Sequence, residues 1–99
     1  MTTLAKSQIE EARTQARALR AIADPTRLLI LRLLSREGES YRVGELAQQF
    51  TLTQPSVSCH LRVLLDAGLI DYRKEGRHTY YFVCRPRILA LRQIIDNLV

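Results

Sequence analysis

Short polar side chains recur in one stretch in the middle of the chain. They are Gln54, Ser56, Ser58, Cys59, His60 and Arg62. Amide, hydroxyl, imidazole and guanidinium groups form hydrogen bonds with the base edges and phosphates of a nucleic acid. Side chains this short suit such contacts when they lie near the beginning of a helix that enters the major groove. We therefore treat these six residues as candidate contacts to double-stranded DNA.

A second group of candidate residues is basic and surrounds a turn at residues 75–76. Its members are Arg73, Lys74, Arg77 and His78. Lysine and arginine neutralise phosphates and release their counterions. A hairpin tip also carries basic residues for another reason, because charge prevents strand edges from pairing between molecules. The position of this tip, directly after the polar stretch, favours a role in DNA binding.

The polar stretch is predicted to form one face of a helix over residues 54–67. Thr53 is a suitable N-cap, and Gly68 suits the left-handed position that follows a helix. At helical spacing the apolar residues converge on the opposite side. These residues are Val57, Leu61, Leu64 and Leu65. An ordinary amphipathic helix with a solvated polar face has the same periodicity, so the pattern by itself leaves both interpretations open.

The elements around this helix follow from the apolar pattern. Helices are predicted over residues 4–23, 25–36, 44–50 and 86–98, and strands over residues 41–43, 69–74 and 77–83. Asp24 and Pro25 separate the first two helices. The second helix is apolar over a wide arc, which predicts a central place in the core, and Gly38 in the loop over residues 37–40 is its expected C-terminal cap. The order predicts a mainly α fold with a small β-hairpin, a winged helix-turn-helix.

Composition limits the class of protein. The 99 residues fit a single domain over residues 1–99, and a net charge of +5 with a pI of about 9.8 favours an acidic partner. No stretch approaches the roughly 20 apolar residues of a membrane span, and residues 1–6 lack the apolar core of a signal peptide. We therefore expect a cytoplasmic protein with reduced cysteines and no membrane partner. No nucleophile triad, Gly-rich phosphate loop or carboxylate pair predicts an enzyme or a cofactor.

Five segments carry a resemblance to a known family. They are LRAIADPTRL at residues 19–28, GELA at 44–47, TQPSVSCHL at 53–61, AGL at 67–69 and RKEGR at 73–77. With these segments the chain resembles the ArsR/SmtB family of bacterial winged-helix repressors from about residue 16 to residue 98. The resemblance implies that Gln54, Ser56, Ser58 and His60 contact DNA and that Arg73, Lys74 and Arg77 are wing contacts. It implies no catalytic activity.

The resemblance also implies a homodimer built by the first and last helices. Both helices carry apolar stripes, over residues 9–23 and 88–98, which a chain this small covers only partly by itself. Burial of both stripes within one monomer is the alternative. A two-fold dimer presents two recognition helices to half-sites about one helical turn apart, and so predicts an inverted-repeat operator.

The sequence departs from the family at the sites where many members bind metal. Residues 43–49 contain no cysteine and residues 87–98 contain no histidine, so no metal site is predicted. Cys59 stands where the family usually has a polar residue or histidine, and a helix N-terminus favours a thiolate. One hypothesis is therefore a thiol switch, responsive to oxidation or a soft metal, at Cys59, Cys84 or both. The alternative is that Cys84 is a small buried apolar residue and Cys59 a substitute for serine.

The expected function is a dimeric transcriptional repressor that an unidentified signal releases from its operator. A winged-helix module that binds proteins and does not read DNA is the alternative, because fold does not fix function. A third interpretation is an architectural protein that binds DNA without regard to sequence. A basic hairpin beside a polar helix face argues against the protein-binding module.

Overall fold

The computed structural model of the chain describes residues 3–36 and 38–99. Its elements in chain order are α1 (Lys6–Ile22), α2 (Pro25–Leu34), α3 (Val43–Phe50), α4 (Gln54–Asp66), β1 (Ile70–Glu75), β2 (His78–Val83) and α5 (Arg85–Asp96). This is the predicted order of helices and strands, except that the strand predicted over residues 41–43 is absent. Two predictions reach beyond the described residues, because Met1 and Thr2 of the polar N-terminal segment and Glu37 of the loop lie outside them.

The break between α1 and α2 occurs at the predicted Asp24-Pro25 pair. The carboxylate of Asp24 accepts a hydrogen bond from the backbone N–H of Arg27 at 3.1 Å, which caps the N-terminus of α2. Pro25 stands at the first helical position, where a missing N–H costs nothing. The end of α2 differs from the prediction: Ser35 is the C-cap, and Gly38 lies three residues farther on with φ of 75°.

Each of the two helices of the helix-turn-helix is followed by a residue in the left-handed conformation. Thr51 follows α3 with φ of 53°, an uncommon conformation for a β-branched residue. Gly68 follows α4 with φ of 75°, and its N–H donates to the carbonyl of Leu65 at 2.9 Å while the next amide, that of Leu69, donates to Leu64 at 3.1 Å. These are the two bonds of a Schellman motif, so the predicted role of Gly68 is confirmed.

The wing is a two-stranded antiparallel hairpin. Its register runs from Ile70 opposite Val83 to Glu75 opposite His78. The predicted strand over residues 41–43 is wrong, because only Tyr41 bridges β2, through two backbone hydrogen bonds with Tyr81 of 3.0 and 2.9 Å. The following residues belong to the start of α3: Arg42 is its N-cap residue, and the helix begins at Val43. The side chain of Glu45 caps the N-terminus by accepting the backbone N–H of Arg42.

The buried side chains form one cluster to which every helix and β1 contribute. Its members are Ala21, Ile30, Leu31, Leu34, Leu46, Ala47, Val57, Leu61, Leu64, Leu69, Ile70 and Leu91. The core side of α4 is therefore the predicted one, with Leu65 half-buried at its margin. The second helix is less central than predicted, since Leu28 and Leu29 stay 38% and 44% exposed.

The molecule is elongated because α1 extends beyond the core. Its principal extents are 55 × 23 × 23 Å, and its radius of gyration is 15.5 Å, whereas about 13 Å is usual for a compact domain of this length. Residues 6–14 of α1 are all exposed. The accessible surface is 7314 Å², compared with roughly 5,800 Å² for a compact monomer of 11.4 kDa. A large area is therefore left uncovered by the chain itself.

Candidate nucleic-acid interface

The polar edge of α4 is held outward by the opposite, apolar side of the same helix. Val57, Leu61 and Leu64 are 0%, 1% and 0% exposed, which fixes the rotation of the helix about its axis. The hydroxyl of Thr53 accepts a hydrogen bond from the backbone N–H of Ser56 at 3.2 Å and so fixes where the helix begins. On the polar edge the exposed residues are Gln54, Ser58, Cys59 and Arg62, while Ser56 is half-buried.

One cleft lies between this edge and the inner face of the wing. It has a volume of 600 Å³, and its polar lining consists of Ser58, Arg62 and Asp66 from α4 and of Tyr72, Lys74, Thr79 and Tyr81 from the hairpin. Two cations, one carboxylate and several hydroxyls therefore face the same open space. That combination suits a phosphodiester backbone, since hydroxyls donate hydrogen bonds to phosphate oxygens that lysine and arginine neutralise.

A second cleft of 670 Å³ lies between the N-terminus of α4 and the tip of the wing. It brings together three candidate residues from the sequence, Gln54, Arg77 and His78, with one that the sequence analysis did not single out, Arg42. The guanidinium Nη1 of Arg42 lies 3.4 Å from Nδ1 of His78. Arg42 was missed because residues 41–43 were predicted to be a strand. The cue available in the sequence was Glu45, three residues later, which marks the N-terminus of a helix.

The carboxylate of Glu45 orders this second cleft. It accepts the backbone N–H of Arg42 at 2.8 Å and the Nε–H of the same residue at 3.3 Å. The backbone hydrogen bond is the main cause that lowers the pKa of Glu45, partial burial opposes it, and the Arg42 guanidinium lowers the pKa further. Glu45 is thus held ionised, where it fixes Arg42 at the mouth of the cleft.

Arg73 does not join the other wing cations. Neighbouring residues of a strand point to opposite faces, so Arg73 lies on the face away from Lys74. Its Nε–H donates to the carboxylate of Glu75 at 2.8 Å, its Nη2–H donates to the hydroxyl of Ser40 at 3.2 Å, and its guanidinium lies over the ring of Tyr80 at 5.2 Å. The predicted role of Arg73 in DNA binding stays a prediction, and the contacts of this side chain are within the protein.

His60 is turned away from the polar edge, towards the start of α2. Its side chain is 23% exposed, and Nδ1 lies 3.4 Å from Nη1 of Arg27 and 3.9 Å from the carboxylate of Asp24. The backbone N–H of Arg27 is the main cause that lowers the pKa of Asp24, desolvation opposes it, and the charges of Arg27 and His60 lower it further. The predicted DNA contact of His60 stays a prediction.

The two cysteines occupy different surroundings. Cys59 is exposed, and it is the sixth residue of α4, beyond the first turn in which the helix dipole acts on a thiolate. Cys84 is half-buried and is the N-cap residue of α5. The thiol-switch hypothesis stays a prediction.

Within residues 3–36 and 38–99, no three His, Cys, Asp or Glu side chains cluster as metal ligands would. Nor does any helix in those ranges have the length and apolar character to cross a bilayer.

The chain is similar over most of its length to known transcriptional regulators. A family model described as bacterial regulatory protein, arsR family, matches residues 24–72. An HTH-type transcriptional regulator of Methanocaldococcus jannaschii is 34% identical over 90 residues, which are 91% of this chain and 100% of that protein. A transcriptional repressor of Synechocystis, named an SmtB homolog, is 32% identical over 91% of this chain and 67% of its own length.

A solved structure has the same fold. The homodimeric winged helix-turn-helix DNA-binding domain Mb0332 of Mycobacterium bovis matches with a TM-score of 0.78 and 27% identity, over 98% of this chain and 91% of that one. The fold class predicted from the sequence is therefore confirmed. The matching family and relatives are transcriptional regulators rather than enzymes.

Proposed function

Since the chain belongs to the ArsR family of bacterial DNA-binding transcriptional regulators, we propose that it is a homodimeric repressor that binds an inverted-repeat operator. The whole chain, residues 1–99, acts as one domain, and an unidentified signal releases it from DNA. It acts on the chromosome, in the cytoplasm, and has no catalytic activity of its own.

The exposed polar edge of α4 is the observation that carries this proposal. The opposite side of the helix is buried in the core through Val57, Leu61 and Leu64. Gln54 and Ser58 are therefore free to meet base edges when the helix lies in the major groove. An amide side chain forms two hydrogen bonds with adenine, and serine bonds to several bases. We assign base reading to these two residues, with Cys59 beside them on the same exposed surface.

The two clefts account for contacts to the DNA backbone. Arg62 and Lys74 face the first cleft, and we assign them to phosphates beside the major groove. Arg42, Arg77 and His78 face the second cleft, and we assign them to phosphates near the tip of the wing. Contacts of this kind fix the register of a protein on the duplex and make its affinity fall with salt.

Uncovered apolar surface supports the homodimer. On α5, Leu89 and Ile95 are 59% and 50% exposed, and on α1 Ile9 is 40% exposed. Only Leu91 of the α5 stripe is buried in the core. Ile88 and Ile94 pack against the core, so the monomer covers the α5 stripe only in part. This favours a second copy over the protruding α1 and the outer side of α5, rather than the alternative of two stripes buried within one monomer. Apolar surface of this extent marks an interaction site in a small protein.

Binding to specific and random DNA separates the three candidate functions. A labelled duplex from upstream of the chain's own gene is titrated with protein in a mobility-shift assay, with random-sequence duplex as competitor. A specific repressor prefers its own site by at least about a thousandfold. Equal affinity for both duplexes indicates an architectural protein, and no shift at low salt indicates a protein-binding module.

A matched pair of variants connects the result to the polar edge of α4. Replacing Gln54 and Ser58 by alanine is expected to abolish the preference for the specific duplex and to leave weak binding to random DNA, because phosphate contacts remain. Gln49→Ala, an exposed residue of α3 that lines neither cleft, is the control and should bind like the wild type. An unchanged preference for the specific duplex in the double variant would contradict this assignment.

A further inference from the structure

A polar cluster connects the end of α1, the start of α2 and the middle of α4. It consists of Asp24, Arg27 and His60, which we call the α1–α4 bridge. Arg27 is its centre: its Nε–H donates to the carbonyl of Ala21 in α1 at 2.6 Å, and its Nη1 lies 3.4 Å from Nδ1 of His60 in α4. Asp24 completes the bridge, since it accepts the backbone N–H of Arg27 at 3.1 Å and lies 3.9 Å from His60.

Apolar packing leaves the junction of α1 and α4 incomplete beside this bridge. An open cavity of 280 Å³ lies there, lined by Arg17 and Ala21 of α1, by Arg27, and by Val63 and Asp66 of α4. Val63 is 40% exposed, so its side chain does not close the junction. Hydrogen bonds are directional whereas apolar contacts are not. Arg27 and His60 therefore supply directional contacts at a junction that apolar side chains fill only in part.

We propose that the α1–α4 bridge sets the separation and orientation of the two recognition helices in the dimer, so that Arg27 and His60 are positioning residues that select the spacing of operator half-sites. The inference rests on the proposed function, because α1 is taken as a dimer helix and α4 as the DNA-reading helix. His60 then determines which DNA is bound without contacting a base.

Operators that differ only in spacing test this role. One base pair more or less between half-sites turns one half-site by about 34° relative to the other. The wild-type protein first selects a half-site from random DNA. Palindromic duplexes with this half-site are then prepared at the preferred spacing and at spacings one base pair shorter and one base pair longer. A second series keeps the spacing and replaces single bases within the half-site. Affinities for both series give a spacing profile and a base profile.

We expect the variants to flatten the spacing profile alone. The wild type should lose about tenfold in affinity for either altered spacing, a loss comparable to that of a mismatched base pair. His60→Ala and Arg27→Met should lose roughly threefold or less. The double variant should resemble Arg27→Met, because each single substitution already removes the contact between Arg27 and His60. His60→Asn keeps an acceptor near Nδ1 and should restore the sharp profile. Arg32→Met, an exposed arginine on the same helix, is the control and should match the wild type.

The outcomes that overturn the inference are distinct from one another. A changed preference at one base position in His60→Ala means that His60 reads DNA. Equally sharp spacing profiles in His60→Ala, Arg27→Met and the wild type mean that the bridge is structural only, and the proposed function stands. A wild-type protein that does not bind DNA as a dimer overturns both proposals. Thermal unfolding of each variant confirms that it is folded, and the His60→Asn rescue separates positioning from general loss of stability.

Discussion

Replacing Lys74 by glutamine is expected to weaken the salt dependence of DNA binding by a calculable amount. Lys74 is exposed and shares the 600 Å³ cleft with Arg62 and Ser58, where the duplex backbone is proposed to pass. Each phosphate contact contributes about −0.9 to the slope of log K against log salt concentration. A dimer has two copies of the contact, so the variant should reduce the magnitude of the slope by about 1.8.

Fluorescence anisotropy of a labelled duplex measures the effect. Between about 50 and 200 mM salt, a slope difference of about 1.8 means that the wild type loses roughly twelvefold more affinity than Lys74→Gln. Arg32→Gln removes the same charge from α2, where Arg32 is exposed and lines neither cleft, and should leave the slope unchanged. Equal slopes for Lys74→Gln and the wild type would refute the assignment of Lys74 to the DNA backbone.

Four further predictions follow from single positions. Thr51→Gly should raise the free energy of unfolding in urea by about 0.5–1 kcal/mol, because relief of the left-handed conformation exceeds the entropy that glycine adds to the unfolded chain; a loss of stability would contradict this. The pKa of Asp24 is lower in the folded protein than in the unfolded chain, so the ionised carboxylate stabilises the fold at pH values above the ordinary carboxyl pKa. This stabilisation is lost as the pH falls through the pKa of Asp24 in the folded protein. In Asp24→Asn, which still caps α2, the free energy of unfolding should therefore decrease less steeply as the pH falls in the acid range. An unchanged pH dependence of that free energy would contradict this role of the Asp24 carboxylate. Ile95→Glu should raise the dimer dissociation constant at least about tenfold in analytical ultracentrifugation, and an unaltered constant would remove Ile95 from the interface. N-ethylmaleimide should modify exposed Cys59 faster than Cys84 by mass spectrometry and block DNA binding, while Cys59→Ser still binds after treatment; binding by the modified wild type would place Cys59 off the interface.

Local signals predicted the helix-turn-helix well. Asp24 and Thr53 each cap a helix through their own side chain, and Gly68 takes the conformation that glycine adopts most easily, so neighbouring residues alone decide these boundaries. The strand predicted over residues 41–43 failed for a related reason. Tyrosine and valine favour strands only where a partner strand is available, and the N-cap at Arg42 ends the pairing after Tyr41.

The composition of the candidate site was harder to predict because it depends on distant pairs. Arg42 meets His78 across 36 residues, and Arg27 meets His60 across 33, so no periodicity within one helix reveals either contact. The separation of Arg73 from Lys74 was available from the sequence, since adjacent strand residues face opposite sides. Both residues are predicted wing contacts, and that alternation places them on opposite faces of the hairpin.

Selection of binding sites from a randomised duplex pool tests the central claim most directly. The wild-type protein should enrich an inverted repeat with half-sites about one helical turn apart. Gln54→Ala should change the preferred base at one equivalent position in each half-site and leave the rest of the repeat intact. An identical repeat selected by both proteins, or no enriched sequence with the wild type, would contradict the assignment of base reading to the exposed edge of α4.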